Sequence, residues 1–237
     1  MKPLEGKVAL VTGGNKGIGR AISLKFAQAG AAIAIAARDR AASEAVAAQI
    51  RVEGGMAVVL DLDVSREDAI EAAFAELDRI LDGLHILVNN AGIGGSHVPV
   101  AQMDAAAWDR VLAVNLRGPM LCARAAFGRI VRSGGGTIVN ISSRAGKESW
   151  AGLSDYSAAK AGLLMLTQAL AAEGEEVGIK ASAICPGMVA THMTRDFGVP
   201  EAKMLQPEDV AQAALYLVTL GANAKVLELV LDRKGAE

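Results

Sequence analysis

Val8-Ala9-Leu10-Val11-Thr12-Gly13-Gly14-Asn15-Lys16-Gly17-Ile18-Gly19 decides the fold of this 237-residue chain. An apolar run ends in a glycine-rich turn, and the turn passes without a polar break into helix formers over Gly17–Ala29. Residues without Cβ let a backbone turn tightly and approach a pyrophosphate, whose charge the free N–H groups and positive dipole end of the following helix would stabilise. The spacing differs from G-x-G-x-x-G, and alone the stretch reads equally as a strand-to-helix turn with no ligand.

Outward from it, short apolar runs recur at Ala31–Ala37, Ala57–Leu62, Ile86–Asn90, Thr137–Ser142, Lys180–Cys185 and Val226–Leu231, which with Val8–Thr12 predict seven strands. Between them Arg40–Val52, Arg66–Leu81, Ala105–Arg132, Asp155–Ala172 and Pro207–Leu220 carry helical spacing. Strands apolar on both faces and joined by helical crossovers require a covered parallel sheet. The expected fold is therefore a single α/β domain over 1–237, a Rossmann-like doubly wound parallel sheet with helices on both faces. Only Val98–Met103 and Val189–Gln206 read as long loops.

Composition agrees and narrows the function. The chain is 52% hydrophobic and 3% aromatic, so its core must be built from Ala, Val, Ile and Leu, as where helices pack closely on a parallel sheet. A net charge of −2 with no block of like charges excludes a nucleic-acid footprint and a polybasic membrane anchor, leaving a small molecule as the expected partner. Cys122 and Cys185 sit inside apolar runs rather than at metal-ligand spacing, so no metal site is assigned and a reducing, cytoplasmic compartment is expected. No apolar run has the length and freedom from charge of a bilayer span.

The second strand bears on the cofactor. An NAD site usually presents a carboxylate to the ribose there, whereas this strand ends Ala36-Ala37-Arg38. Arg38 suits bidentate phosphate contact and Lys16 adds a second positive charge, both favouring NADP(H). The bland alternative for Arg38 is a solvated charge with Asp39 as its local partner.

Farther on come Asn89-Asn90-Ala91-Gly92, Asn115 within a long helical stretch, Ser143, and Tyr156-Ser157-Ala158-Ala159-Lys160. Tyr-x-x-x-Lys alone is an ordinary helical pair. In this company and order the chain resembles the short-chain dehydrogenase/reductase family, over nearly its whole length, and most of all an NADP(H)-preferring carbonyl or 3-oxoacyl reductase. The resemblance implies an Asn115, Ser143, Tyr156 and Lys160 tetrad that interconverts a ketone or aldehyde and an alcohol. Tyr156 would be general acid and base; Ser143 would hold the carbonyl oxygen; Asn115 would lead a water-mediated proton path to Lys160, which would also bond the nicotinamide ribose.

By the same resemblance the cofactor lies along Gly13, Asn15, Lys16, Gly17, Ile18 and Gly19. It continues past Arg38, then Asp63 and Val64 near adenine, then Asn90, Ala91 and Gly92. Pro186 and Gly187 turn the chain beneath the nicotinamide, with Val189 and Thr191 at its carboxamide. Trp150, Met188, His192 and Met193 fall where the family builds its substrate pocket, and equally read as packing; the segment 192–206 is short for a lid.

A tyrosine active near neutrality needs its pKa lowered by roughly three units from about 10, worth about 4 kcal/mol. The Lys160 ammonium and the oxidised nicotinamide are the expected sources. Thr12 reads as a turn brace, Ser142 as structural, His85 as structural and His97 as a loop histidine facing the crevice. Arg117, Arg124, Arg129 and Arg132 read as a solvated face rather than an acyl-carrier patch. Rival readings are a 3-oxoacyl-thioester reductase and a non-catalytic NADP-binding regulator; a homo-tetramer or homo-dimer is expected from the family.

Overall fold

The computed structural model describes residues 2–235. Its strands are β1 (Val8–Thr12), β2 (Ala32–Ala37), β3 (Ala57–Asp61), β4 (Ile86–Asn89), β5 (Gly136–Ile141), β6 (Ile179–Pro186) and β7 (Glu228–Leu231). They form one seven-stranded sheet in the order β3-β2-β1-β4-β5-β6-β7, and each neighbouring pair is parallel.

Every crossover carries a helix: α1 (Gly17–Gln28), α2 (Arg40–Val52), α3 (Glu67–Ile80), α4 (Ala105–Leu112), α5 (Gly118–Arg132), α6 (Ser154–Gly174) and α7 (Pro207–Thr219). Alternation along the strands divides the core in two. Ala9, Val11, Ile33, Ile35 and Val88 face Ile22 and Phe26 of α1, Val46 and Ile50 of α2, and Val210 and Leu217 of α7. Val8, Leu10, Ala34, Ala36 and Leu87 face Phe74 and Leu77 of α3, Leu121 and Ile130 of α5, and Leu170 of α6. Both faces are thus buried, which is why the strands read as continuous apolar runs.

The expected fold class is the observed one, and most element ends fall within two residues of the sequence reading. The stretch Ala105–Arg132 differs: it is α4 and α5 with a π-helical turn, Ala113–Arg117, between them. Pro119 has no N–H to give the Asn115 carbonyl four residues back, so the α-helical ladder is broken there. The two presumed loops also hold short 3-10 turns, Val100–Gln102 and Glu201–Lys203.

The strand order reverses between β1 and β4. The segments leaving those strands part at this point and open a crevice at the carboxyl edge of the sheet, where ligands of open α/β sheets bind.

Candidate active site

The glycine turn is a surface formed by removing side chains. Gly13 has φ +62°, the left-handed region, and a β-carbon at Gly19 would stand 2.2 Å from the Gly13 carbonyl oxygen and 2.4 Å from Asn90 Nδ2. Only glycine lets the start of α1 close onto the loop. Helix α1 has no side-chain cap and no acidic residue in its first turn, so its first N–H groups remain free for an anion.

The loop is braced from β4. Thr12 Oγ1 accepts from Asn90 N and Ala91 N, each at 3.0 Å, and donates to the Val88 carbonyl. The Asn90 amide donates to the Thr12 and Gly13 carbonyls. Asn15 turns its amide to the Asp39 carbonyl, 3.2 Å away, tying the loop to the end of β2. Lys16 is exposed beside it and Ile18 is half-buried.

At the end of β2, Arg38 is exposed. Asp39 is not its partner: that carboxylate caps α2 by accepting from Ala42 N at 3.0 Å. Among the described residues neither Arg38 nor Lys16 forms an ion pair. After β3, Asp63 Oδ1 accepts from Ser65 N and Ser65 Oγ. Burial raises the Asp63 pKa, but the Ser65 bonds and the charges of Arg38 and Arg66 outweigh it and hold the carboxyl below its usual range. Val64 is buried, its carbonyl 2.7 Å from where a Gly118 β-carbon would lie.

On the other side of the crevice, Ser143 follows β5 and caps a short 3-10 turn by accepting from Ala145 N. Its hydroxyl lies near enough to the Tyr156 phenol to favour the ionised form. Tyr156 stands half-buried in the first turn of α6. Lys160, one turn on, is buried; its Nζ donates to the Ile141 carbonyl at 2.9 Å and lies 5.5 Å from the centre of the Tyr156 ring. Ser142 is structural, donating to the Lys160 carbonyl at 2.9 Å.

Electrostatically the pair departs from expectation. Burial pushes the phenol above its ordinary 10, and the Ser143 hydrogen bond draws it only part of the way back. Burial also pulls the Lys160 ammonium down to about 8. The ammonium faces the ring and a carbonyl rather than the phenol oxygen, so the chain's own groups do not supply the downward shift.

Asn115 is buried in the π turn, and its amide pairs with the backbone of Ile93: Oδ1 accepts from Ile93 N at 3.0 Å and Nδ2 donates to Ile93 O at 2.9 Å. Gly92 lies between the two candidates, a β-carbon there being 3.0 Å from Asn115 Oδ1 and 3.8 Å from Lys160 Nζ. The side chain thus anchors the loop after β4.

Pro186 ends β6, and Gly187 N donates to the Leu231 carbonyl. Val189 bridges to Leu205. Thr191 Cγ2 lies 3.3 Å from the position of a Gly17 β-carbon, so the segment after β6 meets the glycine turn. Of the pocket candidates Trp150, His192 and Met193 are exposed and Met188 half-buried, with Met193 Cγ 3.9 Å from a Gly94 β-carbon.

A dinucleotide fits this edge: a glycine cradle that a β-carbon would fill, a helix start with free N–H groups, and the exposed Arg38 and Lys16, which form no ion pair among the described residues. The short chain dehydrogenase model matches residues 7–201. The chain belongs to the short-chain dehydrogenase family. It is 36% identical over 225 residues to 3-oxoacyl-acyl-carrier-protein reductase of Aquifex aeolicus, covering 90% of each chain. It is 40% identical over 235 residues to a short-chain type dehydrogenase/reductase of Picea abies, covering 91% of this chain and 87% of the relative. A crystallised dehydrogenase/reductase from Sinorhizobium meliloti superposes with a TM-score of 0.90 at 35% identity, covering 97% of this chain and 94% of that one. The protein is therefore an oxidoreductase of this family. Among the described residues no helix is long and apolar enough to cross a membrane.

The sequence reading missed two residues that the structure brings to the site, Asp155 and Ser96. An acidic residue in a first helical turn is ordinary, so Asp155 carried no signal of its own.

Proposed function

We propose that this oxidoreductase is NADP(H)-dependent and interconverts a ketone or aldehyde and an alcohol, with Tyr156 as general acid and base. The observation that carries the reading is the meeting of Ser143, Tyr156 and Lys160 across the crevice from the glycine cradle. NADPH would supply the hydride, held by the Gly13–Gly19 turn, with Arg38 and Lys16 at its 2′-phosphate and Pro186, Gly187, Val189 and Thr191 beside its nicotinamide. Ser143 holds the carbonyl oxygen and stabilises the charge that develops on it. Tyr156 delivers the proton to that oxygen, and Lys160, still mostly protonated at neutral pH, stands 5.5 Å from the centre of its ring. The downward pull on the phenol must come from the ligand's positive charge in the oxidation direction.

The Aquifex relative keeps a 3-oxoacyl thioester among the substrates to test. An acyl-carrier patch on α5 has less support. Arg117 and Arg124 are paired with Glu67, and Arg129 with Asp78, leaving little free positive charge to attract an acidic carrier. Exposed Met120 on α5 and Met165 on α6 support assembly into a homo-dimer or homo-tetramer through those helices. The test is oxidation of NADPH, followed by absorbance, against ketones, aldehydes and 3-oxoacyl thioesters, with NADH in parallel. Turnover that prefers NADPH is expected; tight NADPH binding with no turnover across the panel would favour a cofactor-binding regulator.

A further inference from the structure

Helix α6 starts with an unfilled role. Its N-cap is Leu153, which has no side-chain acceptor, yet the first N–H groups of a helix need partners. Asp155, one residue before the tyrosine, supplies one: its Oδ1 accepts from Tyr156 N at 2.7 Å. Its other oxygen reaches a distant segment. Oδ2 accepts from Ser96 N at 2.9 Å and Ser96 Oγ at 2.6 Å, both in the loop that leaves β4.

The carboxylate is fully buried, and no cation pairs with it among the described residues. A buried charge persists only when its lone pairs are satisfied. Here burial raises the pKa, but the Ser96 and Tyr156 bonds outweigh it, and the group stays below its usual range. A helix cap alone does not account for this arrangement, because capping needs neither Ser96 nor complete burial.

The loop it holds lies directly on the tyrosine. A β-carbon at Gly95 would stand 2.8 Å from Asp155 Oδ1 and 3.0 Å from Tyr156 Cβ. Just past the clamp, His97 takes φ +55°, uncommon for a residue with a side chain, and its ring stands 5.4 Å from that of Phe197. Met193 approaches Gly94 from the same segment. The clamp therefore lies where the β4 loop meets the segment after β6.

We propose, resting on the role given to Tyr156 above, that Asp155 is a positioning residue: its carboxylate clamps the loop residues Gly94–His97 to the start of α6 and fixes the substrate-facing wall beside the tyrosine. The test uses the full chain with Asp155→Asn, Ser96→Ala and the double variant. An asparagine keeps the size but turns an N–H₂ toward donors that need acceptors. Asp155→Asn is expected to lower kcat/KM for the carbonyl roughly 10- to 100-fold, the effect of losing a hydrogen bond to a charged group, mostly through KM. Ser96→Ala should lose less, and the double variant no more than Asp155→Asn, because both remove one clamp. The NADPH Kd by fluorescence titration should stay within about twofold of the parent, since no cofactor contact is touched.

Amide exchange at Ser96 gives a readout free of turnover: protected in the parent, fast in Asp155→Asn. Parent-like kcat/KM and Ser96 protection in Asp155→Asn, with the parent active, would overturn the clamp alone. So would loss of NADPH affinity in step with substrate affinity in both single variants, which marks a general loss of folding. A parent that reduces no carbonyl defeats the tyrosine assignment and the positioning role with it, an outcome distinct from either.

Discussion

The glycine turn after β1 and the first turns of α6 share one edge of one sheet, yet they are built in opposite ways. The turn works by what is missing: at Gly19 a single added carbon would strike the Gly13 carbonyl. Helix α6 works by polar side chains packed into the interior, where Asp155 and Lys160 are buried charges and Ser157 and Thr167 are buried hydroxyls. Two of the four give their hydrogen bonds to backbone carbonyls, Lys160 to Ile141 and Thr167 to Leu163. One half leaves N–H groups unclaimed; the other holds its polar side chains by hydrogen bonds to the groups around them. Binding and chemistry should therefore be separable by mutation.

The sharpest break is Tyr156→Phe. Loss of a general acid typically costs roughly 10²- to 10⁴-fold, so turnover should nearly vanish while the glycine half still binds NADPH, read by fluorescence titration. A Phe variant with parent turnover would end the tyrosine assignment. The reciprocal change is Gly19→Ala. The collision must displace the turn, which should destabilise the fold by about 1–3 kcal/mol in a thermal melt and weaken NADPH binding on the order of 10²-fold. Parent-like binding in that variant would mean that the turn does not cradle the cofactor.

The two halves also differed in how readily the sequence disclosed them. Strand, glycine turn and helix follow one another within Val8–Gly19, and the demand for residues without Cβ is local, so the turn was legible as written. Tyr156 and Lys160 were legible by spacing and by family resemblance. The partners were not. Asp155 joins Ser96 across 59 positions, and Asn89, Asn140 and Thr167 form a hydrogen-bonded chain through the core from three separate elements. No periodicity marks such a chain. The π turn was hidden for another reason: Pro119 was visible, but a proline predicts a break and not the kind of helix that absorbs it. The rise in the Tyr156 pKa was missed because spacing shows neither that the phenol is buried nor that Ile141 holds the Lys160 ammonium.

Arg38 sharpens the comparison within the binding half. It is exposed and free of Asp39, so Arg38→Asp should leave the fold intact and act mainly on the 2′-phosphate. A lost charge-assisted bond and a gained repulsion should weaken NADPH roughly 10- to 100-fold while NADH changes little, measured as the ratio of kcat/KM with each cofactor. An unchanged ratio would remove Arg38 from cofactor choice.

The smallest effect lies at the opposite edge of the sheet, where a partly buried polar tie serves the fold. His85 Nδ1 accepts from Val8 N at 3.1 Å, joining the starts of β1 and β4. Burial, helped by the Lys7 charge and partly opposed by Asp82, lowers its pKa below 6.5. The neutral ring is the form the fold needs, since a protonated Nδ1 cannot accept. Above pH 6.5 both folded and unfolded chains carry it neutral and the tie contributes in full; as pH falls, the unfolded chain takes up the proton first, and stability is lost until the folded ring titrates too. His85→Asn keeps an acceptor but cannot titrate. Between pH 8 and pH 5 the parent's Tm should therefore fall by a few degrees more than the variant's. Equal slopes would show that this histidine, unlike the buried groups of α6, gains nothing from the charge state the fold imposes on it.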